Sequence, residues 1–354
     1  MTDSEVLRRA RVDLLIIGAG PCGLAAAIAA KRAGLGACVL DRGAIVGGIA
    51  GYPTYMTFFS TAERLEIGGV PFIVATEKPT RRDALAYYRS VATLFALDVY
   101  QYECVEQIEP IEPSVDDVRA EPGSSSNETD HRTRTPRWMV RSRSLSGINH
   151  ETPAHAVVIA TGYFGRPNRI NVPGGDLPHV RHGYVDGHYA WNQDVVIVGG
   201  GNSAVDAALE MYRAGARVTI VHMLPELDKG VKPWVRPEIL ARIAEGSISA
   251  MFDARVVAID RDTVDVMTPH GLRRTLATQV YEMTGYLPET GLLRDMGVPI
   301  DADTGIPAHD PLTMATPLPG VYLAGVIASG NQANRIFIEN GRDHGDLIVA
   351  SLKH

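Results

Sequence analysis

Twice in this chain an aliphatic run breaks at a cluster of glycines, resumes as a helical pattern and ends in a second aliphatic run. The first instance is Val12 to Ile17, then Gly18-Ala19-Gly20-Pro21-Cys22-Gly23, an alanine-rich stretch to Gly34, and Ala37-Cys38-Val39-Leu40-Asp41. The second is Asp194 to Val198, then Gly199-Gly200-Gly201-Asn202-Ser203-Ala204, a helical stretch to Gly215, and Arg217 to Val221. Short aliphatic runs bounded by glycine are the pattern of strands buried on both faces of a parallel sheet, so each instance reads as strand, turn, helix, strand. Two such units predict an α/β chain of two Rossmann-like, three-layer dinucleotide-binding domains. A length of 354 residues accommodates them, at roughly 100 to 200 residues per domain.

The chemistry of each turn follows from its spacing. In G-x-G-x-x-G the first glycine permits the tight bend, the second lets a pyrophosphate approach the backbone, and the third lets the helix pack on the strand. Gly18, Gly20 and Gly23 occupy these places, and the helix opening at Pro21 and Cys22 offers free N–H groups to the phosphates. Asp41 ends the second strand about 20 residues on, where a carboxylate accepts hydrogen bonds from ribose hydroxyls; Arg42 follows it. In the second turn the corresponding residues are Gly199, Gly201 and Ala204, with Asn202 and Ser203 opening the helix. His222 stands where an acid would repel a 2'-phosphate, with Lys229, Lys232 and Arg236 close behind, which favours NADPH over NADH; Glu226 and Asp228 in the same loop oppose it. Two nucleotide sites in one chain suggest a relay in which a nicotinamide delivers hydride to a second carrier, and a flavin is the natural one.

Other classes are excluded by what surrounds these units. A formal net charge of -7 and the lack of a basic run give no reason to bind nucleic acid. No apolar stretch near the start approaches the roughly 20 residues of a membrane span, and no charged leader with a small-residue cleavage site precedes the first strand, so a cytoplasmic protein is expected. Cys22, Cys38 and Cys104 are scattered, with no Cys-x-x-Cys, so neither a disulfide framework nor a paired redox dithiol is expected. His179, His182 and His188 match no metal-ligand spacing, and no metal is expected. The polar stretch Ser114 to Pro136 reads as a surface loop, whereas Ala156 to Ala160, followed by Thr161-Gly162, and Val321 to Gly325 read as buried strands and their ends.

The glycine turns together with Ala160-Thr161-Gly162, Thr284-Gly285-Tyr286 and Leu323-Ala324-Gly325 resemble the two-dinucleotide flavoprotein disulfide reductases of thioredoxin-reductase-like size. Longer strings are more specific. Tyr52 to Ser60, Lys78 to Arg81, Ile170 to Gly174, Asn202 to Glu210 and Gly330 to Arg342 resemble the bacillithiol disulfide reductases, the YpdA family. The resemblance covers nearly the whole chain. It implies FAD in a discontinuous domain of residues 1–165 and 285–354, and NADPH in an inserted domain of residues 166–284. It also implies reduction of bacillithiol disulfide and a homo-oligomeric assembly. Thr161, Gly162, Gly325, Asn331 and Ala333 join the turn residues as cofactor-binding positions on this basis, and Cys22 is nominated as the catalytic thiol. The rival within the same fold is a ferredoxin or flavodoxin NADP reductase, which also lacks a cysteine pair.

The chain departs from its relatives at Gly325-Val326, where many carry Gly-Asp, and at Gly47 to Gly51. A helix opening across Asn331 to Ile336 would present N–H groups to the N1/O2 side of a reduced flavin, with Asn331 as its cap. Cys22 lies in the first turn of its helix, where the dipole lowers a thiol pKa while a bound pyrophosphate raises it. The other reading of Cys22 is that a small residue packs there. Arg64, Arg81, Arg335 and Arg342 are candidates by type for the carboxylates of bacillithiol.

Overall fold

The structure is a computed structural model that describes residues 6–112, 135 and 137–353. Most of the loop expected over Ser114 to Pro136 lies outside the described residues. The chain divides into two compact units, one of residues 1–51, 57–165 and 287–354 and the other of residues 52–56 and 166–286.

The first unit is built on an eight-stranded sheet. Its strands are β1 (Val6–Arg8), β2 (Val12–Ile17), β3 (Ala37–Leu40), β4 (Val99–Tyr100), β5 (Glu103–Pro110), β6 (Trp138–Ser144), β7 (Asn149–Ile159) and, returning after the second unit, β18 (Val321–Leu323). They run in the order β4-β3-β2-β7-β6-β5, with β1 and β18 also paired to β7. β2, β3, β4 and β18 are parallel to their neighbours, and β5, β6 and β7 form an antiparallel meander. Leu14, Leu15 and Ile16 of β2 and Val157, Val158 and Ile159 of β7 are fully buried, as continuous apolar strands require.

Helix α1 (Pro21–Arg32) covers this sheet, and every residue from Gly23 to Ala30 is buried. Such a helix works because its side chains are small. Helix α8 (His344–Leu352) crosses it so closely that a Cβ on Gly345 would sit 2.6 Å from Ala26 Cα. The unit also holds α2 (Gly47–Ala50), α3 (Arg81–Leu94), α6 (Gly291–Asp295) and α7 (Ile338–Gly341). The departure at Gly47 to Gly51 thus forms a one-turn helix, entered through Val46 in a left-handed conformation, φ 48°.

The second unit has three layers. Its middle is a five-stranded parallel sheet in the order β12-β11-β10-β16-β9, made of β9 (Val180–Arg181), β10 (Asp194–Val198), β11 (Arg217–Val221), β12 (Ser249–Met251) and β16 (Gln279–Glu282). Alternation along the strands sends Val195, Ile197, Val218, Ile220 and Tyr281 to one face, where they pack with Ala204, Val205, Ala208 and Leu209 of α4 (Asn202–Arg213) and Ile239 of α5 (Arg236–Ala244). Val196, Val198, Val221 and Val280 go to the other face. There they meet Val256, Ile259, Val264 and Val266 of an antiparallel meander, β13 (Arg255–Ile259), β14 (Thr263–Thr268) and β15 (Gly271–Leu276). Two short strands, β8 (Arg166–Pro167) and β17 (Tyr286–Leu287), complete the list.

Both units are Rossmann-like, as the two turns predict. Among the described residues no helix is long and apolar enough to cross a membrane.

Candidate functional site

In the first unit the parallel register brings four strand ends to one edge. Gly18 N–H donates to Leu40 O at 2.8 Å, Ala160 N–H to Ile17 O at 2.8 Å, and Ala324 N–H to Ile159 O at 3.0 Å. This gathers Gly18, Gly20, Pro21, Cys22, Gly23, Asp41, Arg42, Thr161, Gly162 and Gly325 at the carboxyl edge, where open α/β sheets take their ligands. The three glycines differ in what surrounds them. Gly18 has φ +111°, and a Cβ there would strike Ala160 O at 2.3 Å; a Cβ on Gly23 would strike Gly18 O at 1.9 Å. A Cβ on Gly20 would meet nothing within 4 Å. The bend and the helix contact are therefore closed by protein, and the middle glycine faces open space.

The end of α1 is itself suited to an anion. No side chain caps it and no acid lies in its first turn, whereas α3 satisfies its own start with a Thr80–Asp83 capping box. Helix α4 repeats the arrangement: Gly201 is its N-cap, with no side-chain cap and no acid in the first turn. An uncapped helix start beside a glycine turn can hold a phosphate through backbone N–H groups and the helix dipole. Asp41 points into the first turn, its carboxylate accepting from Ala19 N–H at 2.7 Å and Gly43 N–H at 2.7 Å. Arg42 lies over Gly165 with Glu289 at 3.8 Å, and Thr161 Oγ1 reaches Glu289 O at 3.5 Å.

In the second unit Val198 is in register with both Val221 and Glu282, so the Gly199 turn, His222 and Met283 share the carboxyl edge. A Cβ on Gly199, φ +136°, would strike Met283 O at 2.4 Å. His222 is buried, its ring lies within 2.6 Å of where a Gly200 Cβ would stand, and its Nε2 is 3.3 Å from Asp228 Oδ1. Asn202 clamps the following loop, accepting from Lys232 N–H at 2.8 Å and donating to Gly230 O at 2.8 Å. Ser203 and Ala204 complete the first turn of α4, Ser203 exposed and Ala204 buried.

Several expectations change on this geometry. Lys232 does not stand free as a counter-charge for a 2'-phosphate, because its Nζ is 2.6 Å from Asp206 Oδ2, and Arg236 is paired with Glu226 at 3.2 Å. Asn331 neither opens nor caps a helix. The first helix after it is α7, at Ile338, because Asn340 accepts from Phe337 N–H at 2.7 Å and donates to Arg335 O at 2.9 Å. Asn331 N–H donates instead to Thr304 O at 2.7 Å, and Ala333 lies in the turn between.

Burial overrides the dipole at Cys22. A Cβ on Gly341 would stand 2.8 Å from its Sγ and one on Gly325 3.0 Å, and burial, with Asp343 nearby, pushes the thiol up to about 12. All three cysteines are unpaired, Cys22 half-buried with its sulfur covered, Cys38 buried and Cys104 exposed.

Of the candidate arginines, Arg81 donates to Ala50 O, Arg342 to Glu63 O and Glu66 O, and Arg64 pairs with Glu339. Only Arg335 of the four has no side-chain partner among the described residues.

Two features were not legible in the sequence. His344 Nδ1 accepts from Gly325 N–H at 3.1 Å, so the strand end that lacks the usual acid is held by a histidine 19 residues later. Glu282, almost wholly buried, lies 2.9 Å from His182 Nδ1. The missing acid at Gly325-Val326 is the one sequence signal for the first; nothing in the sequence marks the second.

The fold and site therefore define a two-nucleotide oxidoreductase. Residues 15–122 and 145–325 match the pyridine nucleotide-disulphide oxidoreductase family, and the chain belongs to that family, whose members are reductases that bind a flavin and a nicotinamide dinucleotide. It is 41% identical over 339 residues to bacilliredoxin reductase Bdr of Bacillus subtilis, covering 96% of each chain. Among solved structures it resembles bacillithiol disulfide reductase Bdr (YpdA) of Bacillus cereus, with TM-score 0.88 and 39% identity over 97% of this chain and 99% of that one. The Staphylococcus aureus enzyme of the same name gives TM-score 0.86 and 36% identity over 97% and 98%.

Proposed function

We propose that this protein is an NADPH-dependent FAD oxidoreductase that reduces bacillithiol disulfide: NADPH + H+ + disulfide gives NADP+ and two thiols. What supports the reading most is 41% identity spanning 96% of this chain and of a named relative, both nucleotide turns included. FAD is assigned to the unit holding Gly18, Gly20, Gly23 and Asp41, and NADPH to the unit holding Gly199, Gly201, Ala204 and His222; in support, each unit has a glycine turn leading into a helix start with no side-chain cap. A flavin held in the first unit would supply a hydride acceptor for a nicotinamide held in the second and a donor of the two electrons that disulfide cleavage needs.

The chain's own groups position and protect this exchange. The α1 and α4 termini hold the phosphates, and Asp41 receives ribose hydroxyls. Cys22 is assigned as the thiol that, once deprotonated, attacks one sulfur of the disulfide; the S–S bond breaks, one bacillithiol leaves as thiolate, and the mixed disulfide would be released by the two electrons of the reduced flavin. For that it must lose a proton that burial retains, and the Gly341 segment must uncover the sulfur. Arg335 is the cation left for substrate carboxylates. A cytoplasmic location, in keeping with three free cysteines, and a homo-oligomer belong to the same reading.

A second acceptor, bacilliredoxin, is favoured by the name of the Bacillus subtilis relative, bacilliredoxin reductase. NADPH and NADH oxidation by the purified, flavin-loaded protein, with bacillithiol disulfide, bacilliredoxin, glutathione disulfide and ferredoxin offered separately, decides between them. The expected result is turnover with NADPH and bacillithiol disulfide that is lost in Cys22→Ala. Turnover that survives the substitution confines Cys22 to packing, and reduction of ferredoxin alone removes the disulfide assignment.

A further inference from the structure

The amino edge of the second unit's parallel sheet, opposite the glycine turn, holds an open cavity of about 610 Å³ lined by Arg217 and Thr219 of β11, Ser247 before β12, Ser249 of β12, and Arg273 and Thr275 of β15. That volume lies within the roughly 300–1,000 Å³ of small-molecule sites. Register shows how the lining is assembled. Thr219 is paired with Ser249, and both point to the face that, two residues further along each strand, carries Val221 and Met251 of the inter-sheet core. Across the gap Arg273 is paired with Val266 and Thr275 with Val264, so they share the inward side of the meander with two core valines. The space between the two sheets is apolar at the carboxyl end and turns to hydroxyls and guanidinium at the amino end.

We propose that this cavity is a second ligand site, taking a small molecule with a phosphate or carboxylate head. Arg217 is held in a fork by Asp194 at 2.7 and 2.9 Å, and Arg274, which also borders the cavity, by Asp265 at 2.7 and 2.9 Å. Arg273 has no ion pair among the described residues. The hydroxyls of Thr219, Ser247, Ser249 and Thr275 likewise make no hydrogen bond among them. One guanidinium and four hydroxyls without protein partners among the described residues, Arg273 and Ser249 of them exposed, border one cavity and are the donors an oxyanion needs. An inward charge that only blunted the β15 edge against aggregation would need no hydroxyls around it. The site is separate from the glycine turn, since β10, β11 and β16 run parallel and carry that turn at their other ends. It does not depend on the acceptor assigned above.

The test is calorimetric titration of the flavin-loaded protein, with NADP+ saturating the glycine turn, using pyrophosphate and citrate as probes and sodium chloride of matched ionic strength as the control. Binding of at least one probe is expected, weakened roughly 10-fold or more in Arg273→Gln and less in Ser249→Ala, with NADP+ affinity unchanged in both. Pyrophosphate alone identifies a phosphate head, citrate alone a carboxylate head. Absence of binding by both probes, binding undiminished in Arg273→Gln, or equal heat from the chloride control overturns the proposal.

Discussion

At the scale of single residues, a thiol and an imidazole show burial outweighing local electrostatics. Cys22 has the helix position that lowers a thiol pKa, yet burial takes it to about 12, as it does Cys38. Both therefore remain protonated through neutral pH, whereas Cys104 is exposed. Iodoacetamide at about pH 8 is expected to modify Cys104 and leave Cys22 and Cys38 intact, as read by mass spectrometry of the native protein; rapid labelling of Cys22 would mean that Gly325 and Gly341 do not cover it. His344 is depressed below its ordinary 6.5 by burial and by His309, with Asp343 opposing. The unfolded chain then takes up the proton first, so the stability His344 contributes is present above 6.5 and is lost as pH falls below that value. Protonation would also place a hydrogen on the nitrogen that receives Gly325 N–H. Thermal denaturation between about pH 8 and pH 5 should show an acid limb that flattens in His344→Gln, whose side-chain oxygen can accept the same bond without titrating. An unchanged limb would remove His344 from this role.

At the scale of elements, the glycine turns were legible because their constraint is local: a tight bend, an open approach and a helix contact all lie within six positions. The helix expected at Asn331 was not, because its start is set by the Asn340 side chain reaching back to Phe337 and Arg335. A capping interaction made from downstream does not show in a reading of the residues it caps. The α1–α8 crossing makes a sharper claim. A Cβ at Gly345 would meet Ala26 Cα at 2.6 Å and Ala25 O at 3.0 Å, both backbone and unable to rotate away. Gly345→Ala is expected to lower stability by about 1–3 kcal/mol. Gly47→Ala, where a Cβ meets nothing within 4 Å, is the neutral control in the same thermal melt.

At the scale of the whole molecule, the two units differ in how they close. The second is continuous apart from residues 52–56 and owns two apolar clusters, one on each face of its sheet. The first is closed by its last segment: β18 pairs with β7, and α8 packs on α1. A fragment of residues 166–286 should therefore melt cooperatively by circular dichroism and bind NADP+, while residues 1–165 alone should not fold, lacking the strand and helix that complete the sheet's cover. A cooperative melt of the 1–165 fragment would contradict this account of closure.

Two Rossmann-like units followed from the sequence alone, since each glycine turn rests on residue spacing within one short segment. The tertiary structure decided what depends on residues far apart in the chain. It packed the Cys22 sulfur against Gly325 and Gly341, joined His344 to Gly325, and paired Lys232 with Asp206. It also put Arg273 on the side of the meander that carries Val266, bordering the same cavity as Thr219 and Ser249. Spacing can specify a backbone turn, but the pKa and availability of a side chain are set by whatever the fold packs against it.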